Sequence, residues 1–452
     1  MTRIHAWILT SICSIPLAAD PTLPGGDTTA FEHSREAFTQ PAANLNPRSL
    51  AQFFSGDTIF NTNWVNATSV VNGRDGLGPL FNTRSCSACH FKDGRGRPPE
   101  TGEIPSGFLI RISLPEHGKG EAPKPHPIYG NQISVRALPG LLPEAFLEIA
   151  YQEIVGHYPD GIEYRIQKPV YAIDNWAYGI PSESLLTSPR VAPSVFGLGL
   201  LDAIPNETIL AQADPSDTNA DGISGRPNWV HSPSLGKRQL GKYGWKANEA
   251  TIEDQSAGAF QGDLGITSKW FPNENHAPKQ VDRQVYPSGG SPELPDRDLE
   301  DIVFYLQTLA PPASRFKDQQ AYEQGKRLFA ETQCASCHTP QFQTRSDAEI
   351  PALADQTIYP YTDLLLHDMG EGLADGRPDF EANGREWRTP PLWGIGLIEA
   401  VNGHSRLLHD GRARSVEEAI LWHEGEARSS KQNFMRLNQP QRKKLVEFVN
   451  AL

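Results

Sequence analysis

At 452 residues the chain is long enough for two or three domains. Its 54 acidic residues outweigh 41 basic ones, a formal net charge of −13, with no basic cluster. That balance argues against nucleic acid and anionic membrane as partners. The 38 prolines and 39 glycines promise much irregular backbone.

In chain order, residues 1–19 read as a signal peptide. Arg3 and His5 precede a mostly apolar run from Ala6 to Leu17, and the small pair Ala18-Ala19 stands before Asp20. The run is too short to span a membrane, and no later stretch is long and apolar enough to do so. Ile12 stands where a lipoprotein signal needs a small residue before Cys13. Cleavage after Ala19 leaves four of the five cysteines. The expectation is an exported, periplasmic protein that is not an integral membrane protein.

Those four cysteines fall into two copies of Cys-x-x-Cys-His, at Cys86–His90 and Cys334–His338. On a helical turn, residues i, i+3 and i+4 share one face, so both sulfurs and the imidazole meet the same object. This is the attachment signature of c-type haem. The thiols Cys86, Cys89, Cys334 and Cys337 become thioethers, and His90 and His338 become proximal iron ligands. One copy alone would leave a zinc half-site or a redox dithiol open. Two copies, with no other cysteine in the mature chain, predict two covalently bound haems.

The two halves share a plan. Leu80-Phe81 and Leu328-Phe329 precede the first cysteine of each motif at the same offset. Amphipathic helices are predicted over 299–309 and 442–452, with apolar residues such as Ile302, Val303, Leu306 and Leu309 on one face. Pro311-Pro312 then reads as a linker. The expected fold is mainly α, with two cytochrome c-like haem domains at 20–310 and 313–452. The first carries a long, loop-rich insertion at about 107–295 with short strands at Phe108–Ser113 and Glu163–Ala172.

Four stretches carry a family resemblance: Asp75–Gly96, Tyr361–Gly372, Arg388–Gly396, and Leu408–Arg412 with Val416–His423. On these the chain resembles the bacterial di-haem oxidoreductases, whose members are labelled peroxidases or thiol oxidoreductases. Its C-terminal half is similar to the di-haem cytochrome c peroxidases. The resemblance implies a two-haem enzyme in which one haem feeds electrons and the other meets substrate. In those relatives a ligand, usually methionine, follows the Glu-Glu-Ala helix, and here that position is His423. Met369 is the alternative distal ligand.

Arg95, Arg388 and Arg412 are candidate partners for haem propionates, because a guanidinium grips a carboxylate with two prongs. His367 and His409 either line the C-terminal haem pocket or pin loops. For the N-terminal haem, His117, His126 and His157 are the histidines within reach. Trp245 is a candidate electron relay. Asp217, Asn219 and Asp221 alternate before Gly222 like the front of a Ca2+ loop, but Asn228 stands where a closing carboxylate belongs.

The expected function is a peroxidase-like oxidoreductase, passing electrons between two haems to a small oxidant such as hydrogen peroxide. Its electron donor would be a small redox protein or a quinol-linked donor. The alternative is an electron-transfer cytochrome with both irons six-coordinate and no substrate. A thiol oxidoreductase lacks support, as no redox-active free thiol pair remains.

Overall fold

The computed structural model describes residues 20–67, 69–70, 73–181, 184–282 and 284–452. The expected signal peptide and Cys13 lie outside the described residues.

Each half is organised by two helices that cross at a glycine. Pro47–Asn61 starts at the Asn46 cap, whose side chain accepts from Ser49 N, with Pro47 in the first turn. It lies against Asp296–Thr308, which buries Leu299, Ile302, Tyr305 and Leu306. The crossing depends on Gly56, where a Cβ would fall 2.2 Å from the Asp301 carbonyl oxygen. In the C-terminal half, Gln319–Glu331 begins at an Asp318 cap and packs on Gln439–Ala451. There a Cβ on Gly325 would fall 2.4 Å from Phe448 Cβ. Asn438 and Gln441 form a capping box at the head of the last helix. Both closing helices are where the apolar spacing places them.

The expectation of a mainly α protein of two cytochrome c-like domains is not met. Only 28% of the structure is helical and 17% is strand. The strands form six two-stranded antiparallel sheets among the described residues. Phe108–Ser113 pairs with Leu186–Val191, and a long hairpin joins Phe146–His157 to Glu163–Asp174. Small sheets also occur in the C-terminal half, where Leu366–Asp368 pairs with Glu386–Arg388. The strand content has a physical origin. The segment between the haem motifs is broken by proline and glycine too often for helices, and its β-branched and aromatic runs bury one face in hairpins.

Buried apolar side chains from Ala37 to Leu452 form one contiguous cluster drawn from both halves. No helix among the described residues is long and apolar enough to cross a membrane.

Candidate haem sites

Cys86–Cys89 forms a single helical turn and Cys334–Ser336 a 3-10 turn. His90 N donates to Cys86 O at 2.9 Å, and His338 N to Cys334 O at 3.0 Å. This local bond brings each imidazole onto the face of its two sulfurs. All four cysteines and both histidines line one continuous cavity, holding about 3180 Å³ free of protein atoms, part of it open to solvent. Its walls include Phe60, whose ring centroid is 6.2 Å from that of His90, and Phe329, 6.4 Å from His338, together with Leu201, Ile302, Leu392 and Leu445.

Burial pushes the Cys86 thiol up to about 12, assisted by the Asp263 charge, and Cys89 and Cys334 to about 11. Thiols held this far up are not thiolates at neutral pH, which disfavours dithiol exchange.

Three imidazoles share one arrangement. His90 Nδ1 donates to Pro193 O at 2.7 Å, His338 Nδ1 to Tyr361 O at 2.9 Å, and His423 Nδ1 to Ala419 O at 2.7 Å. Each ring is thereby oriented with Nε2 left to coordinate, and each lines the cavity. Burial pulls all three below the ordinary histidine value, His338 to about 4, so the rings are neutral and have a lone pair to give. His338 and His423 are near enough for each charge to disfavour the other. Met369 lines the cavity too.

Apolar walls, two Cys-x-x-Cys-His turns and three oriented imidazoles fit a pair of haems. Arg95 adds an independent sign: its buried Nε has no protein partner and the side chain lines the cavity. The family described as "Di-haem oxidoreductase, putative peroxidase" matches residues 19–107 and 144–452.

The chain belongs to the di-haem oxidoreductase family.

No curated protein matches it. Among solved structures, it is similar to hydrazine synthase of Kuenenia stuttgartiensis pressurised with xenon. That similarity is 14% identity over the whole of both chains, with a TM-score of 0.35. Residues 108–143 fall outside the family match.

Aromatic rings of Trp245, Trp387 and His409 line the cavity of this di-haem oxidoreductase. Trp245 Nε1 donates to Val191 O, and Arg388 N donates to Trp245 O. His409 stacks on Trp387 at 3.7 Å between centroids, with 10° between planes. Arg95 lies 5.0 Å over Trp245, and Lys246 lies 4.5 Å over Trp387. Lys246 is wholly buried, bonded to Asp375 Oδ1 and to the carbonyls of Arg377 and Asn383.

Other expected residues are placed differently. Arg95 and Arg388 line the cavity, and Arg388 donates to the carbonyls of Gly244 and Thr389. Arg412 is not among the lining residues; its guanidinium is taken by Asp410 at 2.8 Å. His367 lines the cavity but uses both ring nitrogens, Nε2 to Asp363 at 2.8 Å and Nδ1 to Glu426 at 2.7 Å. Cys337 Sγ is 3.6 Å from Nδ1, so the pinned imidazole supports the sulfur side of the motif. His117, His126 and His157 do not line the cavity.

In the loop of Asp217, Asn219 and Asp221, the side-chain oxygens accept from Gly222 N, Asp221 N and Ile223 N respectively. The Asn219 and Asp221 bonds, each to the amide two residues on, have the geometry of Asx turns. Among the described residues, the group with metal-ligand spacing is Cys337, Asp363 and His367 instead.

Sequence reasoning missed several residues of the N-terminal chamber. Arg111 and Arg190 line it, as do Asn248 and Ser256. Beside Asn248, Glu249 accepts from Asn248 Nδ2 at 3.2 Å. Burial lifts the Glu249 carboxyl to about 8 against the pull of Arg111, so it holds its proton at neutral pH. The signal for Arg111 was a lone cation between Ile110 and Ile112 in an apolar strand.

Proposed function

We propose that this protein is an exported di-haem c-type oxidoreductase of peroxidase type. In this reading the four cysteines carry thioethers, and His90 and His338 hold the irons. The asymmetry of the two chambers supports it. The C-terminal chamber contains a second oriented imidazole, His423, close enough to act on His338, whereas no second histidine acts on His90 among the described residues. His338 and His423 would together hold one haem, and the other, held by His90, would be the one that meets substrate.

When bound, the haems would supply two irons that store electrons and an open coordination position where a small oxidant can be reduced. The residues supply the rest. Reducing a peroxide to two waters consumes two electrons and two protons, and Glu249 holds a proton close to neutrality at its carboxyl beside the N-terminal chamber. Arg111 sets a cation near that carboxyl and lines the same chamber. Trp245 and the Trp387–His409 stack line the cavity with aromatic rings. Electrons would come from a small redox protein or a quinol-linked donor in the periplasm.

The decisive measurement is the absorption and electron paramagnetic resonance spectra of the oxidised and half-reduced protein, before and after peroxide. One low-spin and one peroxide-responsive haem is the expected result. Two low-spin haems, both silent to peroxide, would leave an electron-transfer cytochrome.

A further inference from the structure

His423 hangs from a helix too short to hold itself in place. Val416–Leu421 is 6 residues long and capped by Ser415, whose hydroxyl accepts from Glu418 N at 3.1 Å. Isolated helices shorter than about 12–15 residues are marginal in water, so tertiary contacts must fix this one. Trp422 N donates to Glu418 O, His423 N to Ile420 O, and His423 Nδ1 to Ala419 O. The imidazole therefore goes where the helix goes.

The fixing contacts come from the long hairpin of Phe146–His157 and Glu163–Asp174, which belongs to the segment between the haem motifs. Most of that hairpin is exposed, Val155 at 47%, yet Tyr158 at its tip and Ile166 are buried, at 4% and 7%. The burial falls where the hairpin meets the helix. Gln167 N donates to Glu418 Oε1 at 2.6 Å, and the Tyr158 hydroxyl to Glu417 Oε1 at 2.6 Å. Glu418 is the joint: it is buried, and its other oxygen takes Arg414 N at 2.8 Å and Arg414 Nε at 2.7 Å. A second strap runs from Tyr171, whose hydroxyl donates to Asp410 Oδ2 at 2.7 Å. Asp410 pairs with Arg412, whose guanidinium lies 4.7 Å over Trp422, the neighbour of His423. The hairpin tip has its own anchor on the last helix, where Arg442 lies 3.8 Å over Tyr158 and donates to Asp160 Oδ2 at 2.8 Å.

We infer that the hairpin positions the distal ligand: Glu418 and Tyr158 act through the helix Val416–Leu421 to hold the His423 imidazole at the C-terminal haem. Neither residue lines the cavity, so both work at one remove from the haem. The inference rests on the reading of His423 as a ligand and adds what keeps it there. A helix tied on one side by an otherwise exposed hairpin has a ligand whose hold is set far from the iron. Loosening either strap leaves His423 present but less able to exclude a competitor.

The test is a cyanide titration of the oxidised holoprotein followed by electron paramagnetic resonance. Cyanide has to displace His423 to reach the C-terminal iron, and its signal differs from that of a bis-imidazole haem. A hydrogen bond to a buried charge is strong enough that Glu418→Ala should raise cyanide affinity at the C-terminal haem about ten-fold. Tyr158→Phe removes one oxygen, keeps the ring on Arg442, and should raise it by less; it decides alone if Glu418→Ala does not fold. Glu418→Gln keeps an acceptor for Gln167 N and should return most of the parent's value. Affinity at the N-terminal haem should stay at the parent's value throughout. An equal rise at both haems would mean general loosening and would overturn the inference. His423→Ala, run alongside, separates the two readings. If it alters the C-terminal haem while the Glu418 and Tyr158 variants titrate as the parent does, the positioning role is lost and the ligand stands. If it leaves that haem unaltered, the ligand reading fails, and this inference with it.

Discussion

His409 lies flat on Trp387, 3.7 Å between ring centroids and 10° between planes, and both residues line the cavity that holds the two haem motifs. Burial holds the imidazole down to about 3, with Asp410 only partly opposing, so the stack is neutral at physiological pH. Neutrality matters because Lys246 and Arg190 already lie over Trp387.

A depressed histidine makes folding sensitive to acid. Its stabilising share is present above the unfolded value of 6.5 and is lost progressively as pH falls towards about 3, because the unfolded chain takes up the proton first. Replacing His409 by Phe keeps a ring against Trp387 and removes the titration. The expected outcome is a shallower loss of melting temperature between pH 6 and pH 4, roughly the window set by those two values. Equal slopes in the two proteins would show that His409 plays no part in acid lability.

His423 gives the next expectation. Its ring is oriented by Ala419 O and shares a chamber with His338. His423→Ala should convert the C-terminal haem alone from low-spin to high-spin, and added imidazole should restore the low-spin signal. An unchanged spectrum would transfer the ligand role to Met369, which Met369→Leu then checks.

Legibility in the sequence followed the range of the interaction. The haem motifs were readable because their chemistry is local, with two sulfurs and an imidazole within five residues. The closing helices were readable because a 3.6-residue period records one buried face. His423 was placed by resemblance, not by periodicity. Arg412 stands outside the cavity lining, its guanidinium paired with Asp410 two residues away, a contact that its spacing in the sequence does not reveal. Glu249 was invisible, since its raised carboxyl depends on burial beside Arg111 from a strand far away in sequence. The fold class failed for a related reason: the long hairpin carries Pro169 within a strand, a residue that argues against strand when read alone.

Asp363, His367 and Glu426 form a buried chain in which an imidazolium bridges two carboxylates. Burial works against the charge on His367, but the flanking carboxylates, Asp363 foremost, hold it well above the ordinary value. Removing one partner of such a group costs about 3–5 kcal/mol because a buried charge is left uncompensated. Asp363→Asn should therefore lower unfolding stability by an amount of that order, measured by denaturant titration of the holoprotein. A loss below about 1 kcal/mol, the size expected of exposed pairs, would mean that the chain is far more hydrated than its burial indicates.

Glu249 supplies the prediction closest to chemistry. Its carboxyl is raised to about 8, first by burial and further by the charges of Asp379 and Asp254, with Arg111 opposing. A raised carboxyl keeps its proton at pH 7 and loses it as pH climbs through about 8. Peroxide turnover that draws on this proton should fall on the alkaline side with that midpoint. Glu249→Gln keeps the hydrogen-bonding shape but removes the titration, so turnover should drop about 10²–10⁴-fold and its alkaline limb should flatten. The sign for stability is the same: the share contributed by the neutral carboxyl is full below the unfolded value of 4.5 and is lost as pH rises through about 8. Glu249→Gln should accordingly retain more of its melting temperature than the parent between pH 7 and pH 9 (roughly one unit either side of that midpoint). A variant that loses turnover but keeps the parent's alkaline limb would move the proton donor elsewhere in the chamber, with Asp263 the next carboxylate to replace.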